Sequence, residues 1–174
     1  MVDNDTVIFT GGKNTKDFIS SRRAFMVNIE SRQSTHLAKL NQGRWGHACC
    51  VTRRKMAFVF GGYHRDKKAS YVDKTLDTIE MIPLYPCKSA KGKIIPQKWK
   101  AFTIESLSAR AEHVMSAAGN NTLMIVGGKS GTKQYLEAQF VDVENQQKLQ
   151  TFSTEKVDLQ HISRSYHVLP FGDI

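Results

Sequence analysis

The sequence predicts an all-β chain built from repeated units of four short antiparallel strands, and three observations lead there. Glycine pairs recur at Gly11-Gly12, Gly61-Gly62 and Gly127-Gly128, each directly after a β-prone run: VIFT, MAFVF and LMIV. Arg-x-x-His recurs at Arg44/His47, Arg110/His113 and Arg164/His167. The arginine precedes the first glycine by seventeen positions in both the Arg44–Gly61 and the Arg110–Gly127 intervals, although nearly every residue between them differs. Self-similarity at a kept spacing is the signature of a repeat architecture.

The elements follow in order. After VIFT come AFMVNIES from Ala24 and STHLAKL, both β-prone and ending in turn chemistry. The second unit opens at Arg44, turns at TRRK (52–55), and continues with MAFVF, TLDTIEMI from Thr75 and QKWKAFTIESL. The third opens at Arg110, turns at AGNN (118–121), and continues with LMIV, QFVDVENQ from Gln139 and KLQTFST. SARAEHVMSAA has helix-like composition, but its register with the other repeats makes it a strand. SRSYHVLPF then begins a unit that has no glycine pair after it. Lettering the strands a to d within a unit, residues 1–174 form one repeat region. It divides into b–d at about 1–41, a–d at 42–107, a–d at 108–160, and a lone a at 161–174. The constant interval has a physical cause. Side chains alternate faces along a strand, so adding one residue to the a–b hairpin would turn its core face outward. Connections beyond the glycines face solvent and can vary in length.

The chain has 174 residues, 40% of them hydrophobic, enough for one domain with a real core. Its net charge of +9 favours acidic partners, but lysines and arginines are spread over many loops rather than gathered in one tail. The cysteines Cys49, Cys50 and Cys87 are a poor disulfide framework, and the adjacent pair should point to opposite faces of a strand. MVDNDTVIFT lacks the basic and apolar regions of a signal peptide, and no run approaches the roughly eighteen apolar residues of a membrane span. The expected location is the cytoplasm, with the nucleus as the alternative.

Glycine pairs closing the second strand, Tyr63 just after one of them and Trp99 in a fourth strand resemble the kelch repeat. Units of that family form four-stranded blades of a β-propeller. Lys13 and Lys129 stand where the family often has an aromatic after the glycines, and the first and third units have leucine in place of the tryptophan. The resemblance implies about three blades, which is an incomplete or permuted ring, since propellers typically close with four to eight. Completion would need a longer parent chain or self-association, with the strand at 164–170 pairing with VIFT of a second copy.

The resemblance also implies that the segment entering strand a and the loop after the glycines share one face at the channel mouth. Arg44, Arg110, Arg164, Lys13, Tyr63, His64, Arg65 and Lys129 would then form a partner-binding set, with the guanidinium groups gripping carboxylates. The competing reading has the arginines locking neighbouring blades together through backbone carbonyls. Gly11, Gly12, Gly61, Gly62, Gly127, Gly128, His47, His113, His167 and Trp99 are assigned to the repeat itself. One histidine per unit, without local ligand spacing, is a poor metal site. GGKSGTK at 127–133 lacks the P-loop spacing and a following helix. The expectation is a non-enzymatic scaffold or adaptor that binds a protein partner with an acidic surface and uses no cofactor or metal. Polyanion or nucleic-acid binding through YHRDKK (63–68) and KSAKGKIIPQKWK (88–100) is the alternative, and an enzyme of kelch-like fold a remoter one.

Overall fold

A computed structural model describes residues 5–65, 72–85, 87–88, 94–95 and 97–153. The expected strand at 161–174, with Arg164 and His167, lies outside the described residues, as do Asp66, Lys67 and Lys68 and much of the basic stretch between 88 and 100. Among the described residues the secondary structure is entirely β, so no helix is long and apolar enough to cross a membrane.

The first sheet holds β1 (Thr6–Thr10), β2 (Ala24–Asn28) and β3 (Ser34–His36). The chain then forms the hairpin of β4 (Ala48–Val51) and β5 (Met56–Phe60), followed by a two-residue ribbon, β6 (Tyr63–His64) with β7 (Lys74–Thr75). β8 (Ile79–Pro83), a ribbon of β9 (Cys87–Lys88) with β10 (Ile94–Ile95), and β11 (Lys100–Phe102) complete the second unit, whose main sheet runs β11-β8-β5-β4. The third unit contains β12 (Val114–Ala117), β13 (Thr122–Val126), the ribbon β14 (Lys129–Ser130) with β15 (Lys133–Gln134), β16 (Glu137–Asp142) and β17 (Gln147–Ser153). Its main sheet runs β12-β13-β16-β17, and all these pairings are antiparallel. The expected strands b–d, a–d and a–d are therefore present in the expected order. SARAEHVMSAA carries strand β12, and the post-glycine connections carry the small ribbons.

The three sheets stack without closing a ring among the described residues. The middle sheet is apolar on both faces, which strict alternation along MAFVF makes possible. Ala57, Val59 and Ile82 pack toward Ala24, Leu40, Ile8 and Met26 of the first unit. Phe58, Phe60 and Ile79 pack toward Met115, Leu123, Ile125 and Val141 of the third. Cys49 and Cys50 do point to opposite faces, one into each of these clusters. Burial pushes the Cys49 thiol up to about 11 and the Cys50 thiol higher still, so both remain protonated and unreactive at neutral pH.

The junction between units explains the glycine pairs. Gly61 N–H donates to Thr78 O within its own sheet, whereas Gly62 N–H donates to Arg110 O of the next unit at 2.9 Å. Gly12 N–H does the same to Arg44 O at 2.8 Å. A Cβ on Gly61 would run into the Arg110 carbonyl and would lie 2.9 Å from the His113 Cε1; one on Gly62 would lie 2.8 Å from His47 Cβ. Both glycines also hold positive φ, 63° and 91°, where an L side chain is strained. Trp99 lies just before the fourth strand rather than within it, and its indole N–H reaches back to Ala38 O at 2.8 Å.

Candidate functional site

Two of the arginines that the sequence places on a binding face, Arg44 and Arg110, are in the interior. Arg44 and Arg110 are fully buried, at 0% exposure, which corrects their assignment as partner-binding residues. Arg44 donates to Gly61 O (2.8 Å), Thr78 O (3.1 Å), Thr78 Oγ1 (3.1 Å) and the Glu80 carboxylate (2.7 Å). Glu80 also accepts from the backbone N–H groups of Asn41 and Gln42, so the buried pair is tied to the segment leading from the first sheet. Arg110 makes the equivalent contacts to Gly127 O (3.3 Å) and Gln139 Oε1 (2.9 Å), with Glu137 at 3.5 Å. Seventeen positions is the reach of an arginine from the start of strand a to the carbonyl that ends strand b. Burial lowers the pKa of both guanidinium groups, opposed by Glu80 for Arg44 and by Glu137 for Arg110.

His47 and His113 lie beneath the same junctions. His47 Nε2 and Thr10 Oγ1 are 2.8 Å apart, across from the second unit to the first. His113 packs edge-on against Phe60, 5.0 Å between centroids, with neither ring nitrogen hydrogen-bonded. Burial and then the adjacent arginine lower His47 to about 4; burial, Arg110 and His47 lower His113 to about 3. Both are neutral at physiological pH. Among the described residues no cluster of three or more His, Cys, Asp or Glu side chains is arranged to hold a metal.

Among the described residues, the remaining predicted contacts lie in the loops after the glycines, and their charges are already engaged. Arg65 grips Asp73 with two bonds, 2.8 and 2.9 Å. His64 Nδ1 donates to Gly43 O at 2.6 Å. Lys129 pairs with Glu112 at 2.8 Å. Lys13 places its ammonium 4.1 Å over the Trp45 ring and 5.1 Å over Phe18. Paired and stacked in this way, the cations present less open positive potential than their number suggests.

What the loops do present is a strip of aromatic and mixed-charge side chains that crosses all three units. Phe18, half-exposed at 50%, leads through Lys13 to Trp45. Trp45 packs on Tyr63 at 4.6 Å, held by reciprocal backbone bonds, Trp45 N–H to Tyr63 O and Tyr63 N–H to Trp45 O. Gly46 holds a φ of 61°, where an L side chain is strained; a Cβ there would make only ordinary contact with the Tyr63 ring, at 3.4 Å. Burial and the neighbouring Glu112 carboxylate raise the Tyr63 phenol, so it remains a neutral donor. Glu112 then leads to Lys129. Sequence reasoning found Lys13, Tyr63 and Lys129 but missed Phe18, Trp45 and Glu112. The usable signal was position: Trp45 directly follows the repeated arginine, as Ala111 follows Arg110, and both positions bridge to the residue after a glycine pair.

Compared with models of protein families and with curated proteins, the sequence matches none of either.

Proposed function

We propose that this chain is a kelch-type repeat module, its three sheets acting as propeller blades, and that it serves as a non-enzymatic scaffold binding a protein partner across the post-glycine loops. The observation that carries this reading is the aromatic strip of Phe18, Trp45 and Tyr63, assembled from two units and extended by Glu112 and Lys129 onto the third. A few residues, tryptophan and tyrosine prominent among them, carry most of the energy of a protein interface, and rim charges supply orientation. The kelch assignment is supported by the recurring junction: a glycine pair, the next unit's arginine carbonyl over it, and the next unit's histidine beneath. With Arg44 and Arg110 buried and Arg65 and Lys129 paired, an acidic partner surface would be read chiefly through aromatic contact.

The test is capture of partners on the immobilised chain, with Phe18→Ala and Tyr63→Ala variants compared over a range of salt. Each substitution should weaken capture by tenfold or more, since truncation of an interface aromatic typically costs about 2 kcal/mol. Raising the salt should change it little. Capture unchanged by both variants, or falling log-linearly with salt as polyanion binding does, would reject the aromatic strip as the binding site.

A further inference from the structure

We propose that the loop strip takes a carboxylate side chain of its partner at the Lys13–Trp45 contact, the ammonium and the indole N–H closing on it together. This rests on the strip being the binding site and adds the chemistry of one contact within it. Two unfulfilled donors meet there on one ring. A buried indole N–H ordinarily finds an acceptor, and that of Trp99 has Ala38 O at 2.8 Å. Trp45 Nε1 is enclosed but has no hydrogen-bond partner. The other buried side-chain atoms without one among the described residues, on Arg44, His47 and His113, belong to the junctions between units. An orphaned donor of this kind calls for a missing acceptor. The second donor is Lys13 Nζ, 4.1 Å from the centroid of the same indole.

Lys13 is also the loop cation whose charge no carboxylate meets. Arg65 has Asp73 and Lys129 has Glu112, but among the described residues no acidic side chain lies within ion-pair distance of Lys13. Asp17, in the same loop, accepts instead from the Ile19 N–H at 3.2 Å. A ring face attracts an ammonium but cancels none of its charge, and the N–H donors remain. Phe18 places its ring 5.1 Å from the same ammonium, so a carboxylate closing there would be shielded from water on that side. Phe18 is kept in place by Phe18 N–H to Asn14 O and Asn14 N–H to Ile19 O, with a φ of 57° that is unusual for so bulky a residue. A carboxylate matches the pair of donors, one oxygen for the ammonium and one for the indole N–H. A neutral carbonyl would leave the Lys13 charge unmatched, which selects an acidic side chain over an amide. The flexible four-carbon stem of Lys13 lets the ammonium turn aside for entry and close again.

The chain has two tryptophans, and therefore two indole N–H signals in the magnetic resonance spectrum of the isotope-labelled protein. A blocked Glu-Gly-Glu peptide is titrated into the full chain, with Gln-Gly-Gln as its neutral counterpart. The Trp45 signal should shift saturably as its N–H gains an acceptor, while that of Trp99, already bonded to Ala38 O, stays in place. The neutral peptide should move neither. Lys13→Met keeps the stem and should weaken the titration about tenfold, the worth of one charged hydrogen bond. Lys13→Arg should retain most of the affinity. Trp45→Phe keeps a ring and removes the N–H; read through the Tyr63 amide signal, it should lose a similar factor. Signals elsewhere in the spectrum, unchanged, show that each variant is folded. A Trp45 signal that stays fixed, moves equally with both peptides, or responds alike in Lys13→Met would overturn the proposal. The strip itself falls only if Phe18→Ala and Tyr63→Ala leave partner capture unchanged, so the two readings can fail separately.

Discussion

Glu80 faces the same way as Ile82 on a strand buried on both sides, a position where a lone carboxylate would be prohibitively desolvated. Four donors compensate it: the Arg44 guanidinium, the Asn41 and Gln42 backbone N–H groups, and the Asn41 side-chain amide at 3.0 Å. Across the register Glu80 stands opposite Val59, Gln139 opposite Ile125, and Phe25 opposite Phe9. The polar residue is thus present in the two units that have a strand-a arginine, and a phenylalanine replaces it in the unit that has none. Removing one partner leaves the other charge buried, so Glu80→Met and Arg44→Met should each cost about 3–5 kcal/mol. An Arg44→Met/Glu80→Met double variant should recover a substantial part of that loss. Denaturant midpoints arranged as a double-mutant cycle measure both, and additive losses would refute the coupling. The depth of Arg44 and Arg110 was not legible from spacing, because a fixed interval gives reach along a hairpin but not its position above or below the surface. The overlooked sign was Glu80 itself, a charge on the apolar face of TLDTIEMI.

At the level of the hairpin, the pairing is as the seventeen-residue interval requires. Ala48 opposes Phe60 and Val51 opposes Ala57; in the third unit Val114 opposes Val126 and Ala117 opposes Leu123. These strands were readable because alternation, turn residues and a glycine pair coincide in each unit, and because three copies resolve the helix-like composition around Ala111. The short ribbons were not readable, since two-residue pairings such as Tyr63–Thr75 have no periodicity to detect. Nor was the exact place of Trp99, which anchors the connection rather than the strand. The glycines offer a test that separates backbone strain from crowding. Gly61 and Gly12 both have positive φ, 63° and 106°, but a Cβ meets the neighbouring unit only at Gly61. Gly12→Ala should therefore cost about 1 kcal/mol from strain alone, while Gly61→Ala adds overpacking and should cost roughly 3 kcal/mol or more. Equal losses in thermal unfolding would mean that the junction yields freely to a methyl group.

At the scale of the whole molecule, the sheets are held to one another by apolar clusters and by the arginine–glycine–histidine junctions, and the junctions make the stack sensitive to acid. His47 lies between the first and second sheets and His113 between the second and third. Burial lowers each below the ordinary histidine value of 6.5, to about 4 and about 3, and the adjacent Arg44 and Arg110 reinforce the shift. In the unfolded chain the same histidines take up protons near their ordinary pKa. Between these values the unfolded state binds more protons than the folded one, so stability rises with pH across the interval. The contribution is complete above about pH 6.5 and is lost progressively as pH falls toward 4 and then 3. Protonation would also set a cation beside a buried guanidinium at each junction, so acid should separate the sheets as well as weaken them. Urea unfolding measured from pH 7.5 to 4.5 should show the midpoint falling steadily below about pH 6.5, and a His47→Gln/His113→Gln variant should have a flatter profile than the wild type over that window. Parallel profiles would place the acid sensitivity outside the junctions and remove the histidines from the account of what holds the units together.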